Sequence, residues 1–124
     1  MTSVSDTAKK FRLSRIDKGT EELLIIPNSP FYVIIKKGPQ FVVRIGADWD
    51  KVEEMAQEMI DEGEDREDVI DVMDDLLDEA LKIAYDVIKS LEKEGKEVKS
   101  ELTSSIMDIK DEMMDRLEYL EEVS

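Results

Sequence analysis

Short runs of β-branched and aromatic residues, separated by turn residues, occupy the first 47 positions of the chain. Two of these runs, 31–37 and 40–45, flank the dipeptide Gly38-Pro39, which predicts a β-hairpin. A third run at 22–27 precedes a turn-rich segment. The pattern predicts a short antiparallel β-meander of three or four strands, which needs a layer of helices to cover one of its faces.

From Trp49 onward, apolar residues recur every three or four positions, the spacing of helices that pack through one face. Asp50 and Glu53 match a capping box at the start of a first helix, and Gly63 predicts its end. Asp65 can cap a second helix with a wide apolar stripe. We expect the first helix to cover the sheet.

Gly95 leaves two arrangements open for the remainder of the chain. A glycine can end the second helix and begin a tight αα-hairpin. The apolar stripe nevertheless continues past Gly95 in the same phase, which would also fit a single helix over 66–122. The predicted fold class is α+β: a meander of three or four strands followed by three helices, the last two forming a long helical hairpin or coiled coil.

Charge divides the chain at about the same place as the hydrophobic pattern. The net charge is −15; residues 1–47 carry eight basic and four acidic side chains, or +4, which leaves nine basic and 28 acidic, or −19, on 48–124. We therefore predict a disordered tail at 1–9, a basic β module at 10–47 and an acidic helical region at 48–124. Repulsion between like charges disfavours direct nucleic-acid binding by the acidic half, whose charge fits a partner protein with a basic surface.

The composition bounds location and source. The longest strictly aliphatic run has four residues (23–26), whereas a membrane helix needs about 20 apolar residues. The polar first ten residues do not resemble a secretory signal. We expect a cytoplasmic protein without membrane contact. Abundant Glu and Lys, three side-chain amides and no cysteine are typical of thermophile proteins.

The residue types limit the chemistry that the chain can perform. With neither histidine nor cysteine, most nucleophile–base pairs and the imidazole and thiolate metal sites are excluded. We predict no catalytic and no cofactor-binding residues. Carboxylates on two neighbouring helices could still hold Mg²⁺ between them, and the candidate ligands are Glu54, Glu58, Asp71 and Asp74.

The same acidic segment carries a family resemblance. Glu53-Glu54-x-x-Gln57-Glu58 followed by Asp71-x-x-Asp74 resembles the Glu-Glu-x-x-Glu … Glu-x-x-Asp pattern of the MazG-like nucleoside triphosphate pyrophosphatases. Gln57 and Asp71 stand where that pattern has Glu. The resemblance implies an all-helical, oligomeric, Mg²⁺-dependent hydrolase of the α–β phosphate bond. The alternative for this segment is a solvated acidic helix surface.

Basic and aromatic residues interleave along the predicted hairpin: Lys36, Lys37 and Arg44 with Phe31, Tyr32 and Phe41. On a sheet surface such residues can bind phosphates and stack on bases. The alternative is an ordinary core with solubilising lysines. Strict alternation along a strand would bury some of these rings, which favours the second interpretation.

More than twenty apolar residues lie on the last two helical segments, more than two helices alone can cover. We therefore expect a homo-oligomer, with an interface formed by Ile70, Leu77, Leu91, Val98, Leu102, Ile109, Met113 and Leu120. The sequence favours a non-enzymatic interaction or accessory protein in an oligomer or larger assembly, and nucleic-acid machinery is one setting that it fits. The alternatives are a Mg²⁺-dependent nucleoside triphosphate pyrophosphatase and an acidic DNA-mimic inhibitor.

Overall fold

The computed structural model describes residues 3–120, which form one five-stranded sheet and four helices. In chain order the elements are α1 (Val4–Lys10), β1 (Ser14–Asp17), β2 (Glu21–Ile25), β3 (Phe31–Lys36), β4 (Phe41–Ala47), α2 (Trp49–Asp61), α3 (Arg66–Lys93), β5 (Val98–Ser100) and α4 (Leu102–Glu118). The fold is α+β, as the hydrophobic pattern predicts.

The strands lie in the sheet in chain order, from β1 to β5. The first four are antiparallel neighbours, whereas β5 pairs in parallel with β4, Phe41 opposite Val98 and Val43 opposite Ser100. A parallel neighbour requires a crossover connection, which α2 and α3 provide here. The prediction of three or four strands was therefore wrong: the sheet has five, and the fifth comes from the acidic half.

One hydrophobic core lies between the sheet and the helices. The helix α3 packs across β3 and β4, and Leu77 in its middle is 1% exposed. The sheet side of this core consists of Leu24, Phe31, Val33, Ile35, Val43 and Ile45. The wide apolar stripe of α3 is thus covered by the sheet, with α1, α2 and α4 beside it. The basic and acidic halves share a single core.

Gly95 ends α3 through its backbone conformation. Its φ is +82°, and the Lys96 N–H donates to the Leu91 carbonyl over 3.0 Å, as in a Schellman motif. The chain then enters β5 and does not turn back directly into a second helix. The described residues therefore do not form the predicted long helical hairpin or coiled coil, because an edge strand separates α3 from α4.

The segment 1–9, predicted as a disordered tail, contributes the helix α1; its first two residues lie outside the described part. Ser3 and Asp6 form a capping box at the start of α1. The Thr7 hydroxyl lies 2.8 Å from that of Ser90 on α3, and Val4 is buried in the core. These contacts with α3, which are distant in sequence, hold a segment with few apolar residues of its own.

The other helix ends follow their capping residues. Asp48 caps α2 by accepting a hydrogen bond from the Lys51 N–H at 3.2 Å, so the predicted Asp50–Glu53 box begins two residues too late. Asp65 caps α3 as predicted, accepting from the Asp68 N–H at 2.9 Å. Caps of this kind satisfy N–H groups that have no partner within the helix.

On the core side of the sheet, the edge strand β1 is joined to β2 by an ion pair between exposed Arg15 and buried Glu22. Glu22 is 4% exposed, and Arg15 donates to both of its carboxylate oxygens. Arg15 also donates to the Ser5 hydroxyl on α1 at 2.8 Å. The hydrogen bond to Glu22 raises the pKa of the Arg15 guanidinium, which therefore stays charged at neutral pH.

Candidate functional site

The face of the sheet turned away from the core is largely apolar. Cross-strand partners share a face, so the register defines three rows of side chains here. They are Ile16–Leu23–Ile34–Arg44, Ser14–Ile25–Tyr32–Gly46 and Glu21–Lys36–Val42–Lys99. We call these twelve positions the open face. Its apolar members are contiguous, with the three basic residues toward one side.

The apolar side chains of the open face make no contribution to the core. Within residues 3–120, none of the six is buried or packs against the core cluster; they are Ile16, Leu23, Ile25, Tyr32, Ile34 and Val42. Ile16 is 45% exposed and the other five are half-buried. An apolar surface that the described fold does not use is the feature that most needs a functional explanation.

Gly46 has no side chain, and this leaves room for the Tyr32 ring to lie flat on the open face. A Cβ added to Gly46 would lie 2.6 Å from Cε2 of Tyr32 and 2.9 Å from Cδ1 of Ile34. The ring therefore covers the backbone of β4. Burial, reinforced by the charges of Asp48 and Glu21, raises the pKa of the Tyr32 hydroxyl above its usual 10.0.

Two hollows flank Tyr32 where β4 ends and α2 begins. One, of about 450 Å³, lies beside Leu23, Ile25 and Tyr32. The other, of about 390 Å³, lies beside Ile34 and Gly46. Both are bordered by Ala47 and Trp49. The open face therefore ends beside two recesses, and the second of them also has Arg44, Asp108 and Glu112 in its lining.

Trp49 is fixed beside these recesses by Arg116 of α4. The guanidinium lies over the indole ring, 5.0 Å from its centroid. It also donates to Glu53 at 2.8 Å and to Glu112 at 2.7 Å, which connects α2 with α4. These two hydrogen bonds raise the pKa of Arg116. Trp49 is half-buried and also packs against the core, so the part of the ring that remains exposed is held rigidly.

The edge of β4 is closed beside the open face. The first part of β4 pairs with β5, and beyond it the Ile45 N–H donates to the Ser105 hydroxyl of α4 at 3.2 Å. Glu101, which precedes α4, lies 3.6 Å from Arg44 and 3.8 Å from Lys99. The available surface here is therefore the face of the sheet and not its β4 edge.

The predicted metal ligands are not brought together. Glu54, Glu58 and Asp71 are exposed and Asp74 is half-buried. In the part of the chain that the structure describes, no group of three or more acidic side chains is placed to hold a metal ion. Glu53, the first residue of the MazG-like pattern, pairs with Arg116 instead. The arrangement that the resemblance implies thus has no counterpart among these residues.

Most of the predicted interface stripe lies inside the single chain. Five of its residues are at most 5% exposed within the core: Leu77, Leu91, Leu102, Ile109 and Met113. The other three, Ile70, Val98 and Leu120, are half-buried against it. The sheet supplies the cover for which a second chain seemed necessary. An oligomer remains a prediction, and it needs another surface.

The residues of the predicted nucleic-acid platform lie in different places. Phe31 is fully buried, and half-buried Phe41 packs on the core with the Lys96 ammonium 5.5 Å from its ring centroid. Lys37 pairs with Asp17 at 3.1 Å. Only Tyr32, Lys36 and Arg44 reach the open face. One aromatic ring with both cations on the same side of it is a small platform for stacked bases.

A sequence signal for the open face does exist. Residues 23–26 and 33–35 are uninterrupted apolar runs within antiparallel strands. In a sheet covered on one side only, such strands alternate between apolar and polar residues. A continuous run therefore indicates that the second face is apolar as well. The sequence interpretation instead assigned the surplus of apolar surface to the helices.

No family model, no curated protein and no solved structure matches this chain. None of the described helices is both long enough and apolar enough to cross a membrane. What can be inferred about function therefore comes from the surface of the fold itself.

Proposed function

We propose that this protein is a non-enzymatic interaction module, acting as an oligomer or as a subunit of a larger assembly, and that another protein chain docks on its open face. The observation that carries the proposal is the set of six apolar side chains on that face that take no part in the core. Covering them with another chain removes their apolar area from water.

The dimensions of the open face indicate what kind of contact it can make. Strands about 4.8 Å apart and residues about 3.3 Å long give a flat area of about 300 Å² for three rows across four strands. Six of the twelve positions are apolar, so the apolar part is about half of this area, a small patch of the kind that monomers also expose. Because a stable interface uses about 800 Å² on each side, a partner must also contact the surroundings of the face or bind transiently.

The two recesses beside Trp49 provide such surroundings. Energetically dominant contacts are usually aromatic side chains held in rigid, desolvated positions. Trp49, fixed by Arg116, and Tyr32, fixed over Gly46, are two rings of this kind at the same end of the face. We expect the strongest contacts of the docked chain at this end.

The proposal is tested by introducing a charge among the apolar residues of the open face. Ile34→Glu places a carboxylate in its middle, whereas Tyr85→Glu makes a comparable change on α3, where Tyr85 is 51% exposed on the helical side. Both variants are checked for folding by circular dichroism and thermal melting. Affinity capture from extracts of the native cell should retain the same partner with wild type and Tyr85→Glu, and lose it with Ile34→Glu.

A milder second variant guards against misfolding. Leu23→Thr introduces a β-branched residue, which strands favour, while removing apolar surface from the same row. This variant should capture less of the partner than wild type does, but more than Ile34→Glu does. A partner held equally well by wild type, by Leu23→Thr and by folded Ile34→Glu would overturn the proposal, because no binding would then depend on the open face.

The acidic helices support a second candidate, docking of a protein with a basic surface. Asp75 and Asp78 are exposed on α3, within the half of the chain that carries −19. Reversal of both to lysine should weaken such a complex, and added salt should dissociate it, because exposed charges are screened. The same reversal should leave binding to the open face intact, so the two candidates are separable.

A further inference from the structure

We infer that the chain docked on the open face is a second copy of this protein, packed face to face into a two-sheet sandwich with the acidic helices outside. This rests on the proposed function and names its partner. The inference comes from three properties of the described residues: the distribution of charge, the order of residues along the rows, and the apolar centre of the face.

Charge decides which surfaces of two identical chains can meet. Each chain carries −15, so two copies repel each other over most of their surface. On the open face, by contrast, Lys36, Arg44 and Lys99 accompany one acid, Glu21, and Glu101 at its border pairs with Arg44 and Lys99. Contacts through α2 or α3 would bring carboxylates against carboxylates. The open face carries a small net charge, so the repulsion between two identical copies is weaker there than through the acidic helices.

Face-to-face packing also keeps the two acidic layers apart. Packed sheets lie about 10 Å from each other. The helices of each copy lie on the far side of its own sheet, so the two layers are separated by the whole sandwich. That distance exceeds the Debye length of about 8 Å at physiological ionic strength. The residual repulsion is then weak and sensitive to salt.

The rows of the open face are self-complementary for one direction of the twofold axis. An axis parallel to the strands, between β2 and β3, places β2 of one copy over β3 of the other. Glu21 of each copy then faces Lys36 of the other, because both belong to the same row. Arg44 faces Ile16 and does not meet its own equivalent. The interface is isologous, as in most homodimers.

The same geometry places the apolar rows against each other. Leu23 faces Ile34, and Ile25 faces Tyr32, in both directions across the axis. Sheets pack within about 30° of alignment, which preserves these neighbours. With a flat area of about 300 Å² on each chain, the contact belongs to the smaller interfaces, and we expect a dissociation constant in the micromolar range.

The experiment is sedimentation velocity on the intact chain from about 1 µM to about 1 mM, a range that brackets micromolar dissociation. The mass should rise from 14.3 kDa toward twice that value. Raising NaCl from about 50 mM to about 500 mM should lower the dissociation constant several-fold, because screening reduces the like-charge repulsion. Emission of Trp49, the single tryptophan, should shift to the blue with concentration.

Variants test which surface associates. Ile34→Glu should raise the dissociation constant at least about tenfold, which corresponds to about 1.4 kcal/mol. Tyr85→Glu should leave it unchanged. Glu21→Lys should weaken association, and the double variant Glu21→Lys/Lys36→Glu should restore it, because the exchange regenerates both ion pairs. Association without this rescue would overturn the proposed register of the two sheets.

Failure of this inference is distinguishable from failure of the proposed function. A mass of 14.3 kDa at every concentration and salt condition overturns the dimer. So does association that is lost with Tyr85→Glu but kept with Ile34→Glu. In either case the proposed function stands if a different protein is captured in an Ile34-dependent manner, and falls if no protein is.

Discussion

Removing the hydroxyl of Ser105 should destabilise the protein far more than removing that of its neighbour Ser104. Ser105 is 2% exposed, and its Oγ accepts the Ile45 N–H of β4 at 3.2 Å while donating to the Leu102 carbonyl at 3.1 Å. Ser105→Ala leaves a buried strand N–H without a partner. Ser104 is exposed and bonds only the Glu101 carbonyl, which water can reach in its place.

The magnitude follows from burial. An unsatisfied buried N–H costs about 1–3 kcal/mol. Alanine regains about 0.5 kcal/mol over serine through its higher helix propensity. The free energy of unfolding should therefore fall by about 1–2 kcal/mol for Ser105→Ala. For a domain of this length, that is a drop in Tm of about 4–8 °C. Ser104→Ala should stay within about 0.5 kcal/mol.

Urea unfolding of wild type and both variants measures this difference, with unchanged m-values as the sign that the same surface unfolds. Hydrogen exchange supplies a local readout, since the Ile45 amide should exchange faster in Ser105→Ala. Equal stability of the two alanine variants, or an Ile45 amide with unaltered protection, would refute the view that α4 completes the edge of β4.

Three further changes test other parts of the fold. Leu77→Ala should lower the free energy of unfolding, measured in urea, by about 2–5 kcal/mol. The reason is that Leu77 lies in the core of the single chain and not in an interface between chains. Gly95→Ala should cost about 1 kcal/mol without steric conflict, because φ is +82° and nothing lies within 4 Å of an added Cβ. The hydrogen bond from the Gly19 N–H and, to a smaller extent, the contact with Lys37 hold the pKa of Asp17 below its usual 3.8. The stabilisation from this carboxylate is therefore complete at neutral pH, and it is lost as the pH falls through the lowered pKa. In an NMR titration, Lys37→Met should raise this pKa, while the bond from Gly19 keeps it below 3.8.

The parts of the fold with strong local signals could be predicted from the sequence. The Gly38-Pro39 hairpin, the α2 stop at Gly63 and the α3 cap at Asp65 each depend on residues that are adjacent in the chain. β5 has no such signal, because its three residues become a strand only through pairing with β4. α1 likewise depends on contacts with α3, about 80 residues away in sequence.

The candidate site was missed for a related reason. The helical spacing predicts the surplus of apolar surface on the helices, because it does not show that the sheet covers them. Once α3 lies on the sheet, residues such as Leu77 and Leu91 are satisfied within one chain. The apolar surface that no other part of the described chain covers is then that of Leu23 and Ile34, on the other side of the same strands.

The late position of β5 in the chain has a consequence for protein synthesis. The ribosome releases β1–β4 well before residues 98–118, which contain both elements that close the edge of β4. Until they emerge, β4 presents free N–H and C=O groups along its length, beside apolar surface. Neighbouring nascent chains on one messenger RNA are therefore exposed to strand pairing with each other. Translation that stalls before residue 98 should yield an aggregation-prone product, and a chaperone that shields this edge should matter more to biosynthesis than to the finished protein.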